Sequence, residues 1–469
     1  MIRIGWLVLA AALAGLVPGA ADAQLLNARR LGMGGVATSD NGAARSANIA
    51  FRAVPKGEGY GSIPLPLGLI QFAGDTPEFD PDDPDFNIFK ILDLVSNPPL
   101  TLSLSKPREV SGDISIFVGR DSLLVDLNDV RRTIPKESMV NGGVYHLFGV
   151  GFGIKNFFVQ AQPIVHVRNE FDLDPKLRGA LRDAEPFVSN TRYGLTDDGV
   201  AQAALAFQVG LAFRAYYAPA PGSEDVSQGE EKGDGDGDPP DPRAEDPRRN
   251  GSTALYLGAA PKYLFGMAYG QVGGDGGITT GDTLFGSSDP VAFDMVAVTR
   301  YAAVGEAGGM GHGYGADLGA VLFWNNFELG IGVNDAASEI HWDTTVRRHV
   351  YSDSLNEFVS TVQAVDEAFT SRIPATTTIN VAKRMGPTTV AMDVVDNELY
   401  TGVHLGAETW LGMVALRAGA YSDSNGRWQV AGGTGIRFGG IGLDLAVASN
   451  RRNVEEASAT ELSASLTLY

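Results

Sequence analysis

The chain contains no cysteine. That absence excludes a disulfide framework and any thiolate metal site. Basic residues are few, with 36 Lys and Arg against 56 Asp and Glu and a net charge of −20. Phosphate binding requires a basic surface, so no nucleic-acid partner is expected. After the N-terminus no stretch approaches the ~18 consecutive apolar residues that a membrane-spanning helix requires. The six histidines, His146, His166, His312, His341, His349 and His404, never fall at H-x-x-x-H or H-E-x-x-H spacing, so no metal site has local support. No G-x-S-x-G elbow occurs and no triad motif is visible. The expectation is a protein that is not an enzyme, with neither metal nor cofactor.

What the chain has instead is glycine, 59 residues of it, and strict alternation. Residues 375–469 carry the clearest pattern. Val403, Leu405 and Ala407 alternate with Gly402, His404, Gly406 and Glu408. Ile441, Leu443, Leu445 and Val447 alternate with Gly442, Asp444, Ala446 and Ala448. A period of two places successive side chains on opposite faces of a strand. One face is aliphatic and uncharged; the other is small, glycine-rich and charged. That combination fits an all-β transmembrane antiparallel barrel with lipid outside and a polar lumen. A soluble sandwich would bury its apolar face against a second sheet and show a solvated outer face. Pattern counting gives about 18 strand segments, and 14 to 18 strands with an even total is the expectation. Trp410, Trp428, Tyr400 and Phe438 fall at strand ends, where membrane barrels place aromatic girdles.

Residues 1–23 read as a signal peptide. Arg3 supplies the positive start, an apolar run follows, and Ala21-Asp22-Ala23 precedes Gln24. Export of a cysteine-free, strand-rich chain predicts the outer membrane of a Gram-negative bacterium. Outer-membrane lipid and the barrel-assembly machinery are then partners. Residues 24–57 form a plug or lead-in with a short helix near Leu25–Leu31, and 58–469 form the barrel. Within it, 218–250 holds ten acidic and four basic residues with six Pro and five Gly. Such a composition cannot bury enough apolar surface to order itself. From Asp234 an EF-hand would need Gly at its sixth position, where Pro239 stands. Barrel turns are short on the periplasmic side. Counting strands back from Tyr469 puts short turns at Gly439, Thr409–Trp410 and Gly386–Pro387 on that side, together with the 218–250 insertion. Longer connections are expected at 74–98, 170–198, 272–290 and 352–374. Helices are expected in three of them, at 88–95, 174–184 and 354–368. In the last, Leu355, Phe358, Val362 and Val365 share one side.

The stretch ARRLGMGGVATSDNGAARSANIAF, residues 28–51, resembles the opening of the FadL-like outer-membrane barrels, a superfamily that includes PorV-type and TraF-type proteins. The segments 403–408, 416–421 and 442–449 are similar to that group's closing strands. Ile49 stands where the group usually has Pro. The resemblance implies a plugged barrel, commonly of fourteen strands, that passes hydrophobic or amphipathic small molecules. Its PorV- and TraF-like relatives imply the alternative, a non-transporting component of a secretion or conjugation system. A periplasmic partner bound through 218–250 would serve that role. Gly32, Gly34, Gly35, Asn48 and Ala50 of the plug are the residues expected beside a ligand. Asp393, Glu408, Arg417, Arg437 and Asp444 share the polar strand face. They form either a charge ladder that neutralises itself, because unpaired buried charge is costly, or a selectivity constriction.

Overall fold

The computed structural model describes residues 27–56 and, with short breaks, 138–468, leaving out 221–245, 283–290, 304–308 and 452–457. Between 57 and 137 it describes only short stretches, 61–67 with a gap, 102–103, 115–118 and 122–126. The expected signal peptide, the helix at 88–95 and most of the acidic insertion lie outside the described residues, as does Tyr469.

Among the described residues eighteen strand segments form one antiparallel sheet. Four strands each consist of two segments that share a neighbouring strand, which leaves fourteen strand positions among the described residues. These are β1 (Gly61–Pro64, continued by Leu102–Ser103), β2 (Met139–His146 and Val150–Ile154), β3 (Phe157–Leu173), β4 (Arg192–Ala218) and β5 (Thr253–Thr280). They continue with β6 (Val291–Ala303 and Gly311–Trp324), β7 (Phe327–Ser352), β8 (Glu357–Ser371 and Thr376–Met385), β9 (Thr388–Asp396) and β10 (Thr401–Leu411). The last four are β11 (Val414–Asp423), β12 (Trp428–Phe438), β13 (Ile441–Arg451) and β14 (Ser458–Leu468). Each strand from β2 to β14 pairs with the next in the chain. β14 also pairs with β1, Gly61 opposite Leu468, which joins the last strand to the first. The fold is a transmembrane antiparallel β-barrel, at the low end of the expected strand range.

The alternation sorts as the sequence predicts. Val403, Leu405, Leu416, Leu443, Leu445 and Val447 are exposed on the outer face. Their neighbours His404, Glu408, Arg417 and Asp444 are buried inside. On β14 the inward residues are Glu461, Ser463, Ser465 and Thr467. Phe157, Trp324 and Phe438 are exposed outward near one end and Trp428 near the other, as an aromatic girdle requires. Two of the expected girdle residues are not part of it. Tyr400 is buried beneath the Arg427 guanidinium, 5.0 Å from its ring centroid, and Trp410 turns inward to donate to Glu408 at 3.2 Å.

One barrel end carries two-residue turns. Asn325 and Asn326 both adopt positive φ (49° and 63°), and Gly386, Gly412 and Gly439 do so at 59°, 65° and 57°. Hairpin turns of this length need that geometry to match the strand twist. The turn expected at Thr409–Trp410 is instead at Gly412–Met413, because β10 runs on to Leu411 and only Gly412 offers the left-handed conformation cheaply. The strands flanking the acidic insertion, paired at Ala218 and Thr253, end at this same side.

At the other end the barrel is lopsided. Strands β9 to β14 have 9 to 11 residues, the length that spans a bilayer. β4, β5 and β7 have 27, 28 and 26 and rise well beyond it. Segments expected to be loops are therefore strand. β3 continues to Leu173, β4 begins at Arg192, and the glycine-rich 272–280 belongs to β5. The helix expected at 354–368 is also strand, pairing Val359 with Val350 and Phe358 with Tyr351. Its helical spacing is overridden by β-branched Val359, Thr361, Val362 and Val365 and by the open edge of β7. The helix expected at 174–184 forms as α2 (Pro175–Arg182; α1 lies in the plug), with Asp174 accepting from the Leu177 N–H at 2.7 Å.

Candidate functional site: a seated plug and an apolar lumen wall

The plug is the helix α1 (Ala28–Gly32) followed by two short 3₁₀ turns, Gly42–Ser46 and Ile49–Arg52. Asn27 caps α1 by accepting from Arg30 N–H at 2.8 Å. The plug packs directly on barrel backbone at two glycine rows. Gly258, Gly319 and Gly332 are successive cross-strand partners on β5, β6 and β7. A Cβ on any of them would come within 2.1–2.9 Å of the plug at residues 47–50. Gly406 and Gly419, partners on β10 and β11, face Met33 and Gly34 just as closely, at 2.1–2.4 Å. Glycine is required here by close approach of two backbones. Apolar contacts complete the seat. Ala44, Ala50, Phe51 and Val54 pack on Ala254, Tyr256, Val321 and Phe323, and Leu31 packs on Ala431 and Ala446.

Charge then locks it. Arg29 of α1 donates to both Glu408 oxygens at 3.0 and 2.7 Å and to Asp40 at 3.0 Å. Glu408 also binds Arg417 at 2.6 Å, and Arg417 reaches Asp444 at 2.7 Å. On the neighbouring wall Glu328 accepts from Ser39 N–H (2.9 Å) and Oγ (2.6 Å), from Asn380 (3.2 Å) and from Arg384 (3.0 Å). Asp393 accepts the Ala37 N–H, and His404 Nδ1–H donates to the Gly34 carbonyl at 2.7 Å. Asp40 shows how strong the field is. Burial alone would raise its carboxyl, but Arg29, then Arg384 and Arg248, hold it well below the usual carboxylate range. At the short-turn end Arg248, in the one-turn helix α3 (Pro247–Asn250), donates to Asp246 at 2.8 Å and to the plug's Pro55 carbonyl at 2.5 Å.

Of the residues expected on the ladder, the structure brings Glu408, Arg417 and Asp444 into one chain of contacts and places Asp393 against the plug backbone. Arg437 lies on the same inward phase, half-buried, two residues from the Gly439 turn. Within the ladder Arg417 pairs with both Glu408 and Asp444, and the plug's Arg29 adds a further cation on Glu408. Among the residues expected beside a ligand, Gly32, Gly34 and Asn48 are instead taken up by the seat, Asn48 donating to the Ala320 carbonyl at 3.0 Å. Gly35 and Ala50 are buried in the plug itself, Gly35 at φ 91°. Sequence reasoning missed Arg29 and Asp40. The available signal was the acid excess of the ladder, three carboxylates to two guanidiniums, which calls for a further cation.

Farther from the short turns, on the tall side of the barrel, the lumen wall changes character. Ile164, Ala204, Ala206, Leu264, Tyr269, Ala302, Ile340, Trp342 and Ile373 form one buried apolar cluster, flanked by Val144, Val200 and Phe369. Tyr269 lies 5.6 Å from Trp342 and 5.1 Å from Phe369, ring to ring. Gly266 and Gly311 leave the space that the Trp342 indole fills. Between cluster and plug, buried Lys262 bridges Asp317 and Asp335, both at 2.6 Å, and His146 meets Asp335 at 3.0 Å. These pairs hold a bulge in β7 where Asp335 and Ala337 take positive φ (57° and 52°). Asn334 beside it donates to the plug's Ser46 carbonyl at 2.5 Å. Among the described residues no group of three His, Asp or Glu side chains is placed to hold a metal.

No protein-family model matches the chain, and no curated protein matches it. Among solved structures it is similar to the toluene transporter TodX of Pseudomonas putida, at 13% identity, covering 72% of this chain and 90% of that one, with a TM-score of 0.25. It is also similar to the toluene transporter TbuX of Ralstonia pickettii, at 9% identity, covering 71% and 88%, with a TM-score of 0.28. The fold itself rests on the chain's own antiparallel ladder, which runs from β2 through β14 to β1.

Proposed function

We propose that this barrel is an outer-membrane transporter for hydrophobic or amphipathic small molecules. The observation that carries the reading is the apolar, aromatic lumen wall around Leu264, Tyr269, Ile340 and Trp342. A barrel that passed ions or sugars would line its whole lumen with polar groups, whereas part of this wall is a buried cluster of aliphatic and aromatic side chains. The plug blocks the short-turn half with buried ion pairs, so a solute reaches the apolar wall from the far mouth. The short-turn end is periplasmic on this reading. A charge in the wall tests it. Leu264→Asp should reduce uptake of the apolar dye N-phenylnaphthylamine by expressing bacteria about tenfold, with the barrel still folded. Unchanged uptake in a folded variant would sink the proposal.

A second reading, a partner in a secretion or conjugation assembly, is favoured by the position of the acidic insertion. It opens on the short-turn side and ends in the Asp246–Arg248 contact beneath the plug. Deleting residues 221–245 should abolish capture of a periplasmic partner in crosslinked cells while leaving dye uptake intact. Capture that survives the deletion would rule out that role for the insertion.

A further inference from the structure

One polar side chain in the apolar wall has no partner for one of its atoms. His166 on β3 is 4% exposed, and its Nε2 has no hydrogen-bond partner. It lies between Val144 and Gln202, its cross-strand neighbours, and two residues from Ile164 of the cluster. The proton on this ring can be placed from its neighbours. The Arg372 carbonyl, which can only accept, lies 2.6 Å from one end of the Gln202 amide, so that end is the nitrogen. The amide oxygen accepts from Ser371 Oγ–H at 2.6 Å, and Ser371 Oγ accepts from Trp342 Nε1–H at 2.8 Å. The same Gln202 nitrogen lies 3.0 Å from His166 Nδ1 and donates to it. Nδ1 is therefore the acceptor, and the neutral imidazole carries its hydrogen on Nε2. The relay from Trp342 through Ser371 and Gln202 ends in an N–H with nothing to receive it. A buried donor in an apolar wall without an acceptor is costly, and nearly all such groups in folded proteins are paired.

We propose that His166 is a specificity-determining residue. Its Nε2–H donates to an acceptor oxygen on the transported molecule, so the barrel prefers aromatic molecules carrying one such oxygen to pure hydrocarbons of the same shape. The rings of Tyr269, Trp342 and Phe369 supply the aromatic contact, and the fixed tautomer supplies the direction. This inference rests on the transporter reading and deepens it.

Equilibrium dialysis of the full chain in detergent, with empty micelles as reference, compares acetophenone and isopropylbenzene. The two have nearly the same outline, and only the ketone has an acceptor. The wild-type barrel should favour acetophenone about tenfold, the scale of a hydrogen bond to an otherwise unsatisfied buried group. His166→Phe should abolish that preference; His166→Gln, which keeps a donor, should restore part of it. Equal binding of the two probes by the wild type overturns the proposal whatever the variants do, as does a preference that survives in folded His166→Phe. If neither probe binds the wild type above micelles, the transporter reading falls and the specificity role falls with it. Binding without preference removes the specificity role alone.

Discussion

Arg29 is the residue on which the seating of the plug depends. Its guanidinium neutralises the buried Glu408 of the wall and the partly buried Asp40 of the plug. Buried pairs of this kind contribute little net stability when formed, but removing one partner strands the other, at about 3–5 kcal/mol. Glu408→Ala and Arg29→Met should each destabilise the plug, but by less than that amount, because Arg29 keeps Asp40 in the first and Glu408 keeps Arg417 in the second. The double variant should be less impaired than the two losses added, and a double-mutant cycle on denaturant midpoints measures the coupling. Strict additivity would mean that the contact is not formed. Asp40 adds a pH dependence. Its folded carboxyl is held below the unfolded value of about 3.9, so its contribution is fully present above that pH and lost as pH falls below it. Protease protection of the plug should thus be constant from neutral pH to about 4 and decline below it; a loss centred near pH 6 would contradict the assignment. At this scale the inward charges of β9 to β13 were legible because each sits in a clean period-two frame. Arg29 was not, because a short helix in a glycine-rich lead-in gives no periodicity that says what its side chain will meet.

Among the elements, β8 shows where local pattern misleads. Leu355, Phe358, Val362 and Val365 keep helical spacing, yet 357–371 pairs along β7 from Ser352 down to Ile340. Helical spacing in four residues is weak against a partner strand that continues 26 residues. The same excess length turned expected loops into strand at 192–198 and 272–280. Glycine there suggested a connection, but glycine in a strand also serves crowded or bent stretches. Where a cap and an N1 proline were both present, as at Asp174-Pro175, the helix was read correctly. The cysteine-free chain makes the hairpin easy to test. Tyr351→Cys with Phe358→Cys places two thiols on directly opposed positions, about 4.5–5.5 Å apart at Cα, within disulfide reach. Oxidation should crosslink them readily. A helix at 354–368 would not hold the pair in register, and failure to crosslink would favour it.

At the scale of the whole molecule, the described residues show fourteen strand positions, an apolar outer belt and a plug fixed by charge in the short-turn half. The barrel was legible from alternation and from the two family-like ends; the strand number was not, because interrupted strands such as β6 and β8 read as two segments each. The apolar lumen wall was invisible for a different reason. On the tall strands both phases are partly apolar, so period two cannot distinguish lipid from lumen. A folded barrel of this kind should migrate faster on mild-detergent gels before heating than after, and a chain that shows no such shift is not a barrel. The most direct measurement follows two solutes into the same cells, bacteria expressing the chain in an outer membrane that otherwise excludes both. N-phenylnaphthylamine uptake should rise severalfold over cells lacking the chain, while sensitivity to a large hydrophilic antibiotic stays unchanged. Equal increases for both solutes, or no increase in dye uptake, would contradict a plugged barrel that passes hydrophobic molecules.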